Sequence, residues 1–210
     1  MNKKYELLKN DTIKLPDRTL YRIKALRNFD SIKAGDIGGY IEKEDNLSHN
    51  GNCWVYDNAW VCGDAKVCGD AKVCGDAKVF GNAWVCGDAL VFNNAKVYGD
   101  AKVFDNARVS GDAKVFDNAR VSGDSKVFNN AYIKSNDDIA YINGFGSENR
   151  TTTFYKTKDN TIYVICGCFD GTLDAFRNKV KETHGDIYLA EEYLAIADLM
   201  EMRFRNREEK

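Results

Sequence analysis

The feature that most constrains this chain is a six-residue period that runs unbroken from Val55 to Ile133. Valine stands at every sixth position from 55 to 127 and Ile133 closes the series, which makes fourteen registers. Four places after each comes alanine, from Ala59 to Ala131, with Ser125 as the one substitute. A pair drawn from Gly, Asp and Asn precedes each alanine, as in Gly63-Asp64, Asp105-Asn106 and Asn129-Asn130. An α-helix cannot hold this pattern, because at roughly 100° per residue successive valines drift around the axis instead of sharing a face. In an extended chain neighbouring side chains point to opposite faces. The alanine and valine of Ala101-Lys102-Val103-Phe104 then share one face, and the lysine and aromatic ring share the other. Ala and Val must face inward, since lysine is almost never fully buried without a partner. The Gly, Asp and Asn pairs turn the corners, being the residues that tolerate left-handed backbone or bond their own main chain. A fixed period this short means identical stacked units, here short strands wound into a solenoid.

With these residues the chain resembles the hexapeptide-repeat proteins, in which an aliphatic residue is followed four places on by a small one. The resemblance covers roughly residues 55–133. It implies a triangular coil of three hexads, about eighteen residues, with coils stacked at about 4.8 Å. The fold class expected is mainly β: a single-stranded left-handed parallel β-helix with an irregular N-terminal cap and a small α+β C-terminal module. One departure is plain, because the residue after the aliphatic position is small or acidic in much of the family and is often Cys, Phe or Tyr here. The chain as a whole also resembles a group of phage- and prophage-encoded hypothetical proteins. That second resemblance rests on Gly35-Asp36-Ile37-Gly38-Gly39-Tyr40, on Gly51-Asn52-Cys53-Trp54-Val55 and on Cys166-Gly167-Cys168-Phe169-Asp170-Gly171-Thr172-Leu173. It implies a viral or mobile-element origin, with inhibition of a host defence system as one use, and assigns no chemistry.

Four segments follow in order. Residues 1–50 read as a capping segment, since an open stack of strand edges invites aggregation unless covered. Within it Thr19–Ala25 alternates as a strand, and Ile37 lies eighteen residues before Val55, so a first irregular coil is expected to begin there. Residues 51–135 form the β-helix and residues 136–150 a transition. Residues 151–210 read as a ββαα module: a hairpin from 151–156 and 161–166, a helix N-capped by Thr172 and stopped by Gly185, and a second helix over 188–204. The second helix carries Leu189, Tyr193, Ile196, Ala197, Met200 and Phe204 on its apolar stripe.

Composition narrows function. A net charge of −2 supplies no global field for nucleic acid or membrane. No run reaches the roughly twenty apolar residues that span a bilayer, and Met1-Asn2-Lys3-Lys4 leads into polar sequence. A cytoplasmic protein of a bacterial host is expected, with its seven cysteines as thiols. The hexapeptide resemblance makes acyl transfer the enzymatic alternative, for which the family uses a histidine base and loops that break out of the coils. Here the hexads hold no histidine and no interrupting loop, and the two histidines are His49 and His184, both outside them. No catalytic residue, cofactor or metal is therefore assigned. Cys166, Cys168 and His184 read as structural, since zinc cysteines are usually spaced by two residues or more. The corner acids from Asp64 to Asp124 read as a solvated edge balanced by Lys and Arg.

Sorting the outward residues by eighteen gives three faces. One sets Trp60, Lys78, Lys96, Lys114 and Tyr132 in a column beside Cys62, Phe80, Tyr98 and Phe116. A second carries Trp54, Lys72, Leu90, Arg108 and Lys126 beside Tyr56, Cys74, Phe92, Ser110 and Phe128. The third carries Lys66, Trp84, Lys102 and Arg120 beside Cys68, Cys86, Phe104 and Ser122, so Cys68 and Cys86 should stack on adjacent coils. Rows of outward rings make an apolar patch that a lone soluble protein rarely leaves bare. The expected partner surface is Trp60, Phe80, Tyr98, Phe116 and Tyr132, used for homo-oligomerisation or for a protein partner. Nucleic acid, gripped by Lys78, Lys96 and Lys114 between rings, is the alternative.

Overall fold

The computed structural model describes residues 3–185 and 187–205. Fourteen two-residue strands, from Trp54–Val55 to Tyr132–Ile133, recur at the hexad period. Each of the first eleven lies parallel to the strand eighteen residues on, so that Val61, Val79, Val97, Val115 and Ile133 form one ladder. The result is a parallel β-solenoid whose three faces are separate sheets. Every valine and alanine of the series is exposed by 1 % or less. At the corners the first residue of each turn pair takes positive φ, either as glycine (Gly87, 68°) or as Asp or Asn (Asp105, 59°; Asn129, 54°). This explains why other residue types are missing there.

The rungs bond in one direction. The Cys62 N–H donates to Val79 O at 3.0 Å, Lys78 N–H to Ala95 O at 2.9 Å and Phe80 N–H to Val97 O at 3.0 Å. The first coil is thus left with open carbonyls and the last coil with open N–H groups, and buried main-chain groups need partners. At the N-terminal end the partners are donors. The Tyr5 hydroxyl donates to Leu47 O at 2.7 Å, the buried Lys4 ammonium to Cys53 O at 2.9 Å, and Asn46 Nδ2 to Ala65 O at 2.9 Å. At the C-terminal end they are acceptors. Asn136 Oδ1 accepts from Arg120 N at 2.9 Å, Thr153 Oγ1 from Lys126 N at 3.1 Å, and the Tyr155 hydroxyl from Phe128 N at 3.4 Å.

The N-terminal cap is a hairpin of Tyr5–Lys14 and Thr19–Ala25, extended by Ile37–Ile41, which joins the first face of the solenoid. The expected phase of this coil needs correction. Ile37 is 53 % exposed, and the inward position belongs to Ile41, which pairs with Val61. The offset there is twenty residues, as it is for the Leu47 and Val67 bridge, and it returns to eighteen at Trp54 opposite Lys72. Two extra residues are absorbed between Leu47 and Trp54, so the eighteen-residue rule fails upstream of them. Gly38 and Gly39 are glycine because the strand presses on the first coil. A Cβ there would meet Val55 O at 2.6 Å and Ala59 O at 2.4 Å respectively.

The C-terminal module is larger than the expected ββαα unit. Ile139–Phe145, Arg150–Lys156, Ile162–Cys166 and Phe169–Thr172 form a four-stranded antiparallel sheet, so residues 136–150 supply a strand instead of a bare transition. Two helices follow, α1 (Leu173–His184) and α2 (Tyr188–Arg205). The Thr172 hydroxyl caps α1 by accepting from Ala175 N at 3.3 Å, and Gly185, with φ 57°, ends it. On α2 the buried residues are Ala190, Tyr193, Ala197, Met200 and Phe204, with Leu189 and Ile196 at the margin. Alternation along Arg150–Lys156 gives the sheet two buried faces. Phe154 packs with Phe176 and Phe204 under the helices, while Tyr155 joins the solenoid core. The module thereby covers the last coil. Among the described residues no helix is long and apolar enough to cross a membrane.

Candidate binding surfaces and cavity

The residues singled out in the sequence do meet on one face. Neighbouring rings stack at centroid distances of 5.7 Å (Trp60 to Phe80), 4.9 Å (Phe80 to Tyr98) and 5.0 Å (Tyr98 to Phe116), and Tyr132 closes the row edge-on at 4.7 Å from Phe116. The strand rise sets this spacing, which falls within the range favoured by aromatic pairs. Stacking hides much of each ring. Phe116 is only 6 % exposed and the others are half-buried, so the row is a smooth apolar strip and not a set of projecting anchors. Its first rings are partly roofed by the N-terminal hairpin, where Ile13, Leu15 and Leu20 pack with Tyr40, Cys62, Trp60 and Phe80.

Beside the strip Lys78, Lys96 and Lys114 lie in register on successive rungs. Like charges directly opposite one another are destabilising. The end lysines turn onto rings, Lys78 over Trp60 at 5.2 Å and Lys114 over Tyr132 at 6.0 Å. A similar arrangement on the third face places Lys66 and Lys102, the rung neighbours of Trp84 on either side, over its ring at 5.8 and 5.1 Å. On the second face Lys72 is drawn off by Asp30 at 2.8 Å, and an open groove of about 580 Å³ runs along the corner between Asp70, Asp88 and Asp124 and the Lys72, Arg108 and Lys126 column. Corner acids there accept hydrogen bonds from the preceding coil: Asp70 Oδ1 from Asn52 N at 2.8 Å and Asp124 Oδ1 from Asn106 Nδ2 at 2.9 Å. Among the described residues no group of three or more His, Cys, Asp and Glu side chains is placed to hold a metal ion.

Two features of the module escaped the sequence reading. A cavity of about 280 Å³ opens between the sheet and α1, floored by Phe145, Phe169, Phe176 and Tyr193. Arg150, Cys166, Cys168, Lys179 and His184 stand around it. His184 stacks on Tyr193 at 5.5 Å, and Cys166 Sγ accepts from the Thr152 hydroxyl at 3.1 Å. The lining comes from all four strands of the sheet, two of the turns between them and both helices, so no local motif announces it. The second feature is the outer side of α2 and its approach, where Ile187, Tyr188, Leu199 and Met202 are exposed.

His49 also has a structural position. Its ring stacks on Tyr5 at 4.4 Å, and Nδ1 accepts from Lys4 N at 3.2 Å, which places it in the N-terminal cap.

No family model matches the chain. A stretch of 38 residues, 18 % of this chain, is 45 % identical to the uncharacterized acetyltransferase YdcK of Escherichia coli (strain K12). That stretch covers 12 % of the relative's length. The parallel β-solenoid itself fits the hexapeptide-repeat proteins.

Proposed function

We propose that the protein is a non-catalytic binding scaffold that works by protein–protein association, through the face formed by Trp60, Phe80, Tyr98, Phe116 and Tyr132. The observation that carries this reading is the pairing of a flat, continuous aromatic strip with three lysines held in register beside it. The strip offers apolar area with little side-chain entropy left to lose, because stacked rings are already ordered. The lysine column adds a cost that a carboxylate-bearing partner removes. A second copy of the chain meets both demands, since its corner acids are available to the lysines, and an acidic host protein meets them equally. An origin in a phage or mobile element points to a host protein, with inhibition of a defence system as its use. Nucleic acid is the second reading, favoured by the lysines seated over rings and opposed by the corner acids along every edge. Acyl transfer is the third, supported by the short likeness to a protein named as an acetyltransferase.

Sedimentation of the purified chain, alone and as Phe80→Glu with Tyr98→Glu, separates these readings. Assembly beyond one copy, lost in a double variant that keeps its circular dichroism, supports the association face. A monomer that binds single-stranded oligonucleotide with a steep salt slope, abolished by the same variant, overturns it in favour of nucleic acid. Release of coenzyme A thiol from acetyl-coenzyme A, dependent on an acceptor, overturns the non-catalytic reading.

A further inference from the structure

Seven cysteines are free thiols, and two of them stand apart from the rest by their placement. Cys68 and Cys86 follow Val67 and Val85, which are direct partners on neighbouring parallel rungs of the third face. The Cys68 N–H donates to Val85 O and the Cys86 N–H to Val103 O, each at 3.0 Å, so both residues are held in the same extended conformation. Their Cα atoms are therefore separated by about the strand spacing of 4.8 Å, inside the 4.4–6.8 Å that a disulfide spans. Both side chains point outward from the core and are half-exposed.

The remaining cysteines lack this geometry. Cys53 is buried, with the Lys4 ammonium 3.3 Å from its sulfur, and Cys62 is buried under the N-terminal hairpin. Cys74 sits in a column between Tyr56 and Phe92, and Cys166 is engaged by Thr152. The neighbouring Cys68 thiol lowers the Cys86 thiol to about 7, with Lys102 acting in the same direction, while Cys68 itself is pushed up. Lys66 and Lys102, both drawn to the Trp84 ring, make the surroundings of the pair cationic.

We propose that Cys68 and Cys86 form a redox dithiol, a modification site at which a small anionic disulfide such as oxidised glutathione is reduced as a bond closes across two rungs. The Cys86 thiolate attacks one sulfur of the disulfide, forming a mixed disulfide and expelling one glutathione thiolate, which takes up a proton. Cys68 then loses its proton and attacks the Cys86 sulfur, releasing the second glutathione. Two protein thiols are oxidised and one molecule of glutathione disulfide becomes two of the thiol. The cationic rim suits the carboxylates of that reagent, and no strand has to move. The product is a staple between successive coils on the third face, away from the aromatic strip.

The test uses the full chain treated with oxidised glutathione and digested with trypsin without reduction. The expected product joins the peptide 67–72 to the peptide 79–96, each of which holds one cysteine. Cys68→Ala should leave Cys86 trapped as its glutathione mixed disulfide, while Cys74→Ser should change nothing. Alkylation of Cys86 at pH 7 should be about fourfold faster than for an unperturbed thiol, since a greater thiolate fraction outweighs lower nucleophilicity, and Cys68→Ala should remove the difference. A product that links Cys166 to Cys168 while leaving 67–72 and 79–96 separate overturns the proposal. So does a Cys68→Ala protein whose Cys86 reacts as in the wild type.

Discussion

Inside the coils the repeated core positions are valine and alanine, whereas the C-terminal module packs Phe154, Phe176, Tyr193, Met200 and Phe204 beneath two helices. Both cores are closed to solvent, but they are specified differently. In the coils a residue's surroundings follow from its place in the hexad, because the neighbours above and below are the same residue type eighteen positions away. In the module each large side chain meets partners from several elements, and its surroundings exist only once the sheet and helices have docked. The repeat is legible from sequence and is filled by small or aliphatic residues, with Ser125 as the one hydroxyl among them. The module is harder to read and holds the ring-floored cavity of about 280 Å³, because dissimilar side chains leave gaps that Val and Ala stacked in register do not.

Substitutions can break this contrast or sharpen it. The largest effect belongs to Val97→Asp, which places a carboxylate with no partner among valines and alanines in the middle of the stack. A loss of about 5 kcal/mol or more is expected, enough to abolish the cooperative thermal transition seen by circular dichroism. A variant that melts like the wild type would undo the register given to the coils. Next comes Phe176→Ala in the module, at about 3–4 kcal/mol from lost burial and the cavity left behind. If the two regions are separately specified, hydrogen exchange should accelerate across α1 and α2 while amides around Val97 keep their protection.

A smaller effect is expected where the two regions join. Burial pushes the Tyr155 hydroxyl well above the usual tyrosine value, and its oxygen lies 3.2 Å from Phe128 O. Tyr155→Phe should cost about 1–2 kcal/mol at neutral pH by leaving main-chain groups of Phe128 unsatisfied. The pH dependence follows from the sign of the shift. A group raised in the folded state holds its proton longer there, so its contribution is complete below about pH 10 and is lost as the pH climbs further. Tyr5, raised by burial in the same direction at the other end, acts alike. The unfolding free energy should therefore fall above about pH 10, less steeply in Tyr155→Phe, and urea titrations at several alkaline pH values measure it. The smallest effect is Asn106→Ala, which removes one exposed bond to Asp124; a few tenths of a kcal/mol is expected, because water replaces such a bond readily.

Much of the solenoid could be read in advance because period, strand alternation and corner chemistry all agree. The inward valines, the three columns and the neighbouring cysteines at 68 and 86 follow from counting alone. Counting failed where the chain departs from the period. Ile37 satisfies the eighteen-residue rule and lies outside, whereas Ile41 does not satisfy it and lies inside, since the two additional residues before Trp54 leave no mark in the composition. The strand Ile139–Phe145 was hidden by Asn143 and Gly144, and only its pairing with Arg150–Lys156 makes it a strand. Likewise the ring columns were legible, but their mutual stacking, which turns a ragged patch into a smooth strip, depends on side-chain angles that no pattern encodes. Lys4 is the sharpest case. Its burial contradicts the usual habit of lysine until the open carbonyls of Gly51 and Cys53 are seen beside it.

The one-way bonding of the rungs has a consequence at a larger scale. A stack stripped of its caps would end in acceptors at one pole and donors at the other, and these two poles complement each other. Bare copies would add end to end by a heterologous contact that never closes, and the same bonds that join one coil to the next would join one molecule to the next. Lys4 and Tyr5 at one pole, and Thr153 and Tyr155 at the other, thus act as chain terminators: they make a finite molecule out of a bonding scheme that is, left to itself, a filament.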